Sequence, residues 1–280
     1  MQPTTVYTRD RCVTGIHGLD EILRGGIPYG STVLAAGTCG SGKTTLGMEF
    51  LVRGALAGEA CAHFTATEPS VKLLENIGCE VIVPSSQTSS GEELYSKGDW
   101  LDSREIAEKF LNDFDSSLPI IVPSVEASSF IKHQMGDMLA NSSLHLKYKD
   151  IAAQVYELSE FLVDHLNIDH FNANVEEKVI LHYSCSYSIT DNKAECLDNI
   201  MSKVKGLEVV QANHVCAWKE SIFIETELAD QLGMLLIKEA EELACDRIIT
   251  NEPYCFINLS QLIGQKKSSL KISYFPEILI

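Results

Sequence analysis

Two sets of residues in this 280-residue chain have the types and spacing to do chemistry. The first is Gly37-Thr38-Cys39-Gly40-Ser41-Gly42-Lys43-Thr44, followed by Thr45, and it fits G-x-x-x-x-G-K-[ST] in full. Glycines at these positions let successive backbone N–H groups turn inward around phosphate oxygens. Lys43 then reaches the β- and γ-phosphates, and the Thr44 hydroxyl holds Mg²⁺. A helix opening at Lys43 adds its N-terminal dipole to the same anion. ATP and Mg²⁺ are therefore the expected cofactors. The second set is the cysteines, nine in all, at positions 12, 39, 61, 79, 185, 196, 216, 245 and 255. With no export signal at the N-terminus they point to a reducing, cytoplasmic setting, where they serve as buried apolar residues, soft metal ligands or nucleophiles. The eight histidines show no H-x₃-H or H-E-x-x-H spacing, and no G-x-S-x-G elbow marks a hydrolase.

Positioning these residues requires alternating strands and helices. Apolar, β-rich runs occur at 32–36, 60–65, 80–84, 119–123, 178–183, 207–212 and 247–250. Amphipathic stretches occur at 43–57, 70–77, 103–114, 128–140, 148–166, 194–203 and 226–244. The clearest helical period is Ile151, Val155, Leu158, Leu162 and Leu166. Residues 85–98 read as a loop and 167–177 as a linker between two loosely repetitive halves. Such alternation predicts an α/β fold of mostly parallel βαβ units. The phosphate loop follows the run at 32–36 and opens the helix at 43, the context its chemistry needs.

Charge divides the chain unevenly. Residues 1–60 hold five Lys/Arg and five Asp/Glu, so the whole net charge of −17 lies in residues 61–280. An acidic surface argues against a phosphate-backbone binder, so no nucleic-acid partner is expected, and the acidic part is the expected protein-docking surface. No apolar run approaches the roughly 20 residues of a membrane span.

Around the phosphate loop, Thr14-Gly15-Ile16-His17-Gly18-Leu19-Asp20-Glu21-Ile22-Leu23, Gly25-Gly26-Ile27-Pro28-Tyr29-Gly30 and Phe64-Thr65-Ala66-Thr67-Glu68-Pro69-Ser70 resemble the KaiC/RecA-like P-loop ATPases. The likeness covers residues 12–77. It implies that Glu68, at the end of the second strand, activates the water that attacks the γ-phosphate. A magnesium-anchoring Asp after a later strand is also part of that pattern. The candidate strands end instead in Val122-Pro123-Ser124, His182-Tyr183-Ser184 and Thr250-Asn251-Glu252. Binding of ATP–Mg²⁺ is expected, with turnover near background.

From about residue 71 the chain resembles another family, the cysteine-rich CCG proteins, which include the iron–sulfur subunits of lactate utilisation and glycolate oxidase and the cysteine-rich subunit of heterodisulfide reductase. The stretches that carry this are Leu73–Val81, Tyr156–Leu162, Leu181-His182-Tyr183-Ser184-Cys185, Val204–Glu208 and Asp246–Cys255. The resemblance implies two half-repeats, each with cysteines for an iron–sulfur cluster. In the second copy Cys185, Cys216 and Cys255 remain, while Val215, Ala217 and Glu252 replace the paired Cys, the Gly and the first Cys of the last pair. In the first copy Gln87-Thr88-Ser89-Ser90-Gly91 has serine for both cysteines, and Ser124-Val125-Glu126-Ala127 ends in alanine. Serine is a hard, poorly acidic ligand, so the first set is expected to hold no cluster and the second only a labile cluster or zinc.

Three segments are therefore expected: a KaiC-like P-loop segment over 1–70 and two Rossmann-like half-repeats over 71–166 and 167–280, joined in one α/β architecture. Function is expected to be ATP–Mg²⁺ binding on a degenerate CCG scaffold. The alternatives are a subunit of a cytoplasmic redox complex, or a non-catalytic fusion that binds partners.

Overall fold

The computed structural model describes residues 11–29, 31, 33, 35, 43–58, 67–84, 87–184, 194–212 and 226–280. The chain separates into two compact units, Met1–Phe64 and Thr65–Ile280.

In the first unit, β1 (Arg11–Cys12) and β2 (Ile27–Pro28) form an antiparallel ribbon around α1 (Leu19–Ile22), and α2 runs from Lys43 to Leu56. The Asp20 carboxylate closes the turn before α1. It accepts from the Thr14 N–H at 2.7 Å, the Thr14 hydroxyl at 2.8 Å and the Gly15 N–H at 2.9 Å. These bonds, the Thr14 N–H foremost, hold its pKa below the ordinary carboxylate value. Gly26 is required by contact: at φ +109°, a Cβ there would lie 2.1 Å from the Cys12 carbonyl oxygen.

The second unit contains, in order, α3 (Thr67–Asn76), α4 (Glu92–Ser96), α5 (Trp100–Asp113), β3 (Ile120–Val122), α6 (Val125–His133), α7 (Met135–Met138), α8 (His145–Ala152), β4 (Val155–Glu157) and α9 (Leu158–Glu160), which runs into a π-helical turn at Phe161–His165. It continues with β5 (Asn174–His182), α10 (Ala194–Ser202), β6 (Lys205–Gln211), α11 (Thr226–Glu242), β7 (Arg247–Thr250), α12 (Pro253–Lys266), β8 (Lys271–Tyr274) and α13 (Pro276–Leu279).

β3 and β4 pair in parallel, and a four-stranded, wholly parallel sheet has the order β6-β5-β7-β8. Strand side chains alternate between two helical layers. Ile180 and Ile248 pack beneath Leu236 and Ile237 of α11 and Leu259 and Leu262 of α12. Val179, Leu181 and Ile249 face Leu197, Ile200 and Met201 of α10, with Leu158, Leu162, Leu73 and Leu74 beyond. A third core joins β3 and β4 to α5–α8 through Leu111, Phe130, Ile131, Met135 and Ile151. The fold class is α/β, as the strand–helix alternation predicts.

The expected helix over 148–166 is instead interrupted. α8 ends at Ala152, Val155–Glu157 pairs with β3, and Glu157 then starts α9 with a reciprocal capping box to Glu160. Val155, Leu158 and Leu162 are all buried, so a strand and a helix in succession mimic one helical period. The expected strand at 80–84 pairs with none of the described strands, and Ile82 and Val83 are exposed. The expected helix over 128–140 begins three residues earlier, where Ser124 caps it, and breaks at Gln134. The expected loop over 85–98 contains α4, and β5 begins inside the expected linker. Most of the expected strand at 32–36 and all of 60–65 lie outside the described residues, as do Ala66 and the loop residues 37–42.

Candidate functional site

Parallel strands with helices on both faces gather functional groups at their C-terminal ends, and the order β6-β5-β7-β8 reverses between β5 and β7. The chain leaving β5 carries His182 and Ser184. The chain leaving β7 carries Thr250, Asn251 and Glu252 before α12 begins. The same construction recurs at β3, where Pro123 and Ser124 lead into α6.

Glu252 is the hub of this region and is 1% exposed. Its carboxyl caps its own helix by accepting from the Tyr254 N–H at 3.4 Å. It also accepts from the Ser124 hydroxyl, 3.2 Å from both oxygens, and from the Glu126 N–H at 3.2 Å. Glu252 thus binds the N-termini of two helices, α6 and α12. Ser124 caps α6 independently, accepting from the Ala127 N–H at 3.2 Å. In return the Ser184 hydroxyl donates to the Glu126 carboxyl at 2.7 Å, and the Ser184 N–H donates to Asn251 Oδ1 at 3.1 Å. His182 Nδ1 lies 3.0 Å from the Thr250 hydroxyl, which accepts from the Glu252 N–H at 3.3 Å. Tyr274 at the end of β8 donates to the Pro123 carbonyl at 2.7 Å.

Ser124 is half-buried; His182, Ser184, Thr250, Asn251, Glu252, Glu126 and Tyr274 are buried. Among the described residues, His182 Nε2 and Asn251 Nδ2 have no hydrogen-bond partner. Burial, and then the charge of Glu126, push the Glu252 carboxyl up to about 8 against the pull of the Glu126 and Tyr254 N–H groups. Burial and the nearby Glu92 raise the Tyr254 hydroxyl to about 12.

The cysteines expected to bind metal divide between described and undescribed chain. Cys255 lies in the first turn of α12, buried against the core between α11, α12 and the sheet. Cys185 and Cys216 fall outside the described residues. Among the described residues no group of three or more His, Cys, Asp or Glu side chains is placed to hold a metal ion. Cys196 is buried on α10, and burial raises the Cys245 thiol. Of the phosphate-loop residues, Gly37, Thr38, Cys39, Gly40, Ser41 and Gly42 lie outside the described residues; Lys43 and Thr44 open α2 as expected, and Thr45 is exposed on it. Glu68 is exposed in the first turn of α3.

The carboxyl–hydroxyl network is the element that sequence reasoning misses. Its one visible signal is the shared position of Ser124 and Glu252, each following a short apolar run and each preceding a helix, which is the pattern of a capping residue.

Two different families match this one chain. Residues 12–79 match the family model described as KaiC ATPase, and residues 179–260 match the cysteine-rich CCG domain. The relatives are alike in name. Lactate utilization protein A of Geobacillus thermodenitrificans is 25% identical over 214 residues, covering 75% of this chain and 90% of the relative. That of Anoxybacillus flavithermus is 24% identical over 221 residues, covering 78% and 93%. That of Bacillus subtilis is 23% identical over 214 residues, covering 75% and 90%. No described helix is long and apolar enough to cross a membrane.

Proposed function

We propose that this chain acts in lactate utilisation as the cysteine-rich subunit of a redox assembly, where it docks partners and does not itself carry the electron path. The observation that carries this reading is the extent of the likeness. Proteins named lactate utilization protein A align over nearly their whole length, far beyond the stretch matched by the CCG model. The substitutions set the role within the assembly. Ser89, Ser90 and Ala127 leave the first half without the paired and final cysteines of the pattern, and Cys185, Cys216 and Cys255 leave the second with three thiols for a labile cluster or zinc.

The test is anaerobic reconstitution of the full chain with iron and sulfide, followed by mixing with a lactate-utilisation complex from which protein A has been removed. Co-elution with substoichiometric iron is the expected result. Failure to co-elute overturns the subunit reading, and a full complement of iron overturns the docking-only role.

A second reading concerns the same molecule and rests on a separate observation, the complete phosphate-loop motif inside the KaiC match. Gly37–Thr44 binds ATP–Mg²⁺, with Lys43 on the phosphates and Thr44 on the metal. Calorimetric titration with ATP and Mg²⁺ tests it; a chain that shows no heat of binding overturns it.

A further inference from the structure

We propose that the α4–α5 corner, around Trp100 and Leu101, is a docking knob for a basic protein surface that carries an apolar slot. This gives a chemistry to the partner in the docking role proposed above, and its place in a redox assembly rests on that reading.

Four consecutive residues, Asp99-Trp100-Leu101-Asp102, are exposed where α5 begins. Trp100 is 63% and Leu101 84% exposed, so two large apolar side chains, adjacent in the chain, stand in water. Trp100 is nevertheless held in place. Its ring stacks on Tyr95 of α4 with 6.3 Å between centroids, and Tyr95 packs at 5.2 Å on Phe130 of α6, which is 1% exposed. The corner beneath is tight: the Ser103 hydroxyl donates to the Gly91 carbonyl at 2.8 Å, and the Asp99 N–H donates to the Leu94 carbonyl at 2.9 Å. An aromatic anchor fixed in this way loses little freedom on binding, and tryptophan is prominent among the residues that dominate interface energies.

Charge selects the partner. Residues 92–109 hold six acids and three bases. Each base is already paired one helical turn away, Lys97 with Glu93, Arg104 with Glu108 and Lys109 with Glu105. Among the described residues Asp99 and Asp102 have no such ion pair, and the Asp99 side chain makes no capping bond to α5. Two uncompensated carboxylates therefore flank the two apolar side chains. A second copy of the chain would bring the same carboxylates face to face, and like charge disfavours that pairing. A surface with Lys or Arg around an apolar slot answers both features, its cations meeting Asp99 and Asp102 while the slot takes Trp100 and Leu101.

The experiment titrates the full chain with two probes, a lactate-utilisation complex lacking protein A and a labelled synthetic peptide of alternating lysine and leucine. Trp100→Ala with Leu101→Ala weakens binding of both about thirtyfold. Asp99→Asn with Asp102→Asn weakens it about threefold at low salt, and this difference closes at about 0.5 M salt. All four side chains are exposed, so the variants keep a melt close to that of the wild type. Complex binding as tight in the variants as in the wild type overturns the proposal and leaves the subunit reading standing. If the wild-type chain does not take up the complex, the subunit reading falls and the peptide decides: peptide binding that is absent, or untouched by the variants, overturns the proposal. A chain that runs alone as a dimer, broken by Trp100→Ala with Leu101→Ala, overturns it in favour of a second copy.

Discussion

Replacing Glu177 by Gln tests how the sheet is held at the end opposite the site. Glu177 lies near the start of β5, where Arg247 of β7 grips it with two bonds, Nε to Oε2 at 2.7 Å and Nη2 to Oε1 at 3.0 Å. Lys271 of β8 adds a third at 2.7 Å. One carboxylate of β5 thus holds the first residues of β7 and β8. Its side chain is 15% exposed and that of Arg247 is 18% exposed, so solvent screens the pair only in part. The Arg247 hydrogen bond, followed by that from Lys271, outweighs burial and lowers the Glu177 pKa from 4.5 to about 2. At 1.36 kcal/mol per pH unit this shift corresponds to about 3 kcal/mol, and screening reduces it to about 2 kcal/mol. A depressed carboxyl pKa stabilises fully above about 4.5 and loses that contribution as the pH falls through about 2. Glu177→Gln should therefore lower the thermal midpoint by about 4–8 °C at pH 7, because 1 kcal/mol moves a domain of this size by 2–4 °C. The gap should close as the pH approaches 2. Circular dichroism melts at pH 7, 4 and 3 measure both quantities. Equal midpoints at pH 7, or a gap that stays constant on acidification, would show that the triad does not stabilise the sheet.

Leu181→Ala, near the C-terminal end of β5 and fully buried, should cost about 2–5 kcal/mol in urea unfolding; a loss below 1 kcal/mol would mean that the core there can collapse around the gap. Gly206→Ala should destabilise by roughly 1–3 kcal/mol, because Gly206 has φ +80° and the new Cβ would lie 3.0 Å from the Val175 carbonyl oxygen. An unchanged urea midpoint in that variant would contradict the backbone assignment. Lys43→Ala should abolish ATP–Mg²⁺ binding in calorimetry while leaving the melt of the chain unchanged, and persistent affinity would refute the phosphate-loop assignment.

The α/β class, the strand at 247–250 and the long helices at 43–56 and 226–242 were legible in the sequence because each rests on local pattern. What was hidden depends on contacts distant in the chain. Val155–Glu157 becomes a strand because β3 lies beside it, and no helical period can report a neighbour 35 residues away. Helix α12 escapes detection because it carries apolar residues on several sides and starts behind Pro253, so it looks like an irregular end of the chain. Cys255 was visible as a motif position. The pairing of Ser124 with Glu252 was not, since 128 residues separate them.

That pairing fastens the β3–α6 and β7–α12 junctions through side-chain and backbone groups of the chain itself. A metal centre fastens two chain ends because both ligate the same ion, and its binding energy becomes folding energy. A hydrogen-bonded pair fastens them only if one side donates and the other accepts. Two serines would offer little, and two ionised carboxylates would repel. One hydroxyl facing one carboxyl, with backbone N–H groups to satisfy the remaining lone pairs, meets the requirement at positions 124 and 252. The closure is made of the chain's own groups, so removing metal should leave it intact. Prolonged treatment of the full chain with a strong iron and zinc chelator under reducing conditions is therefore expected to leave the melt unchanged, whatever metal Cys185, Cys216 and Cys255 had carried. A chelator-induced fall of many degrees, restored by adding metal back, would place a metal ion, and not the Ser124–Glu252 contact, at the centre of the fold.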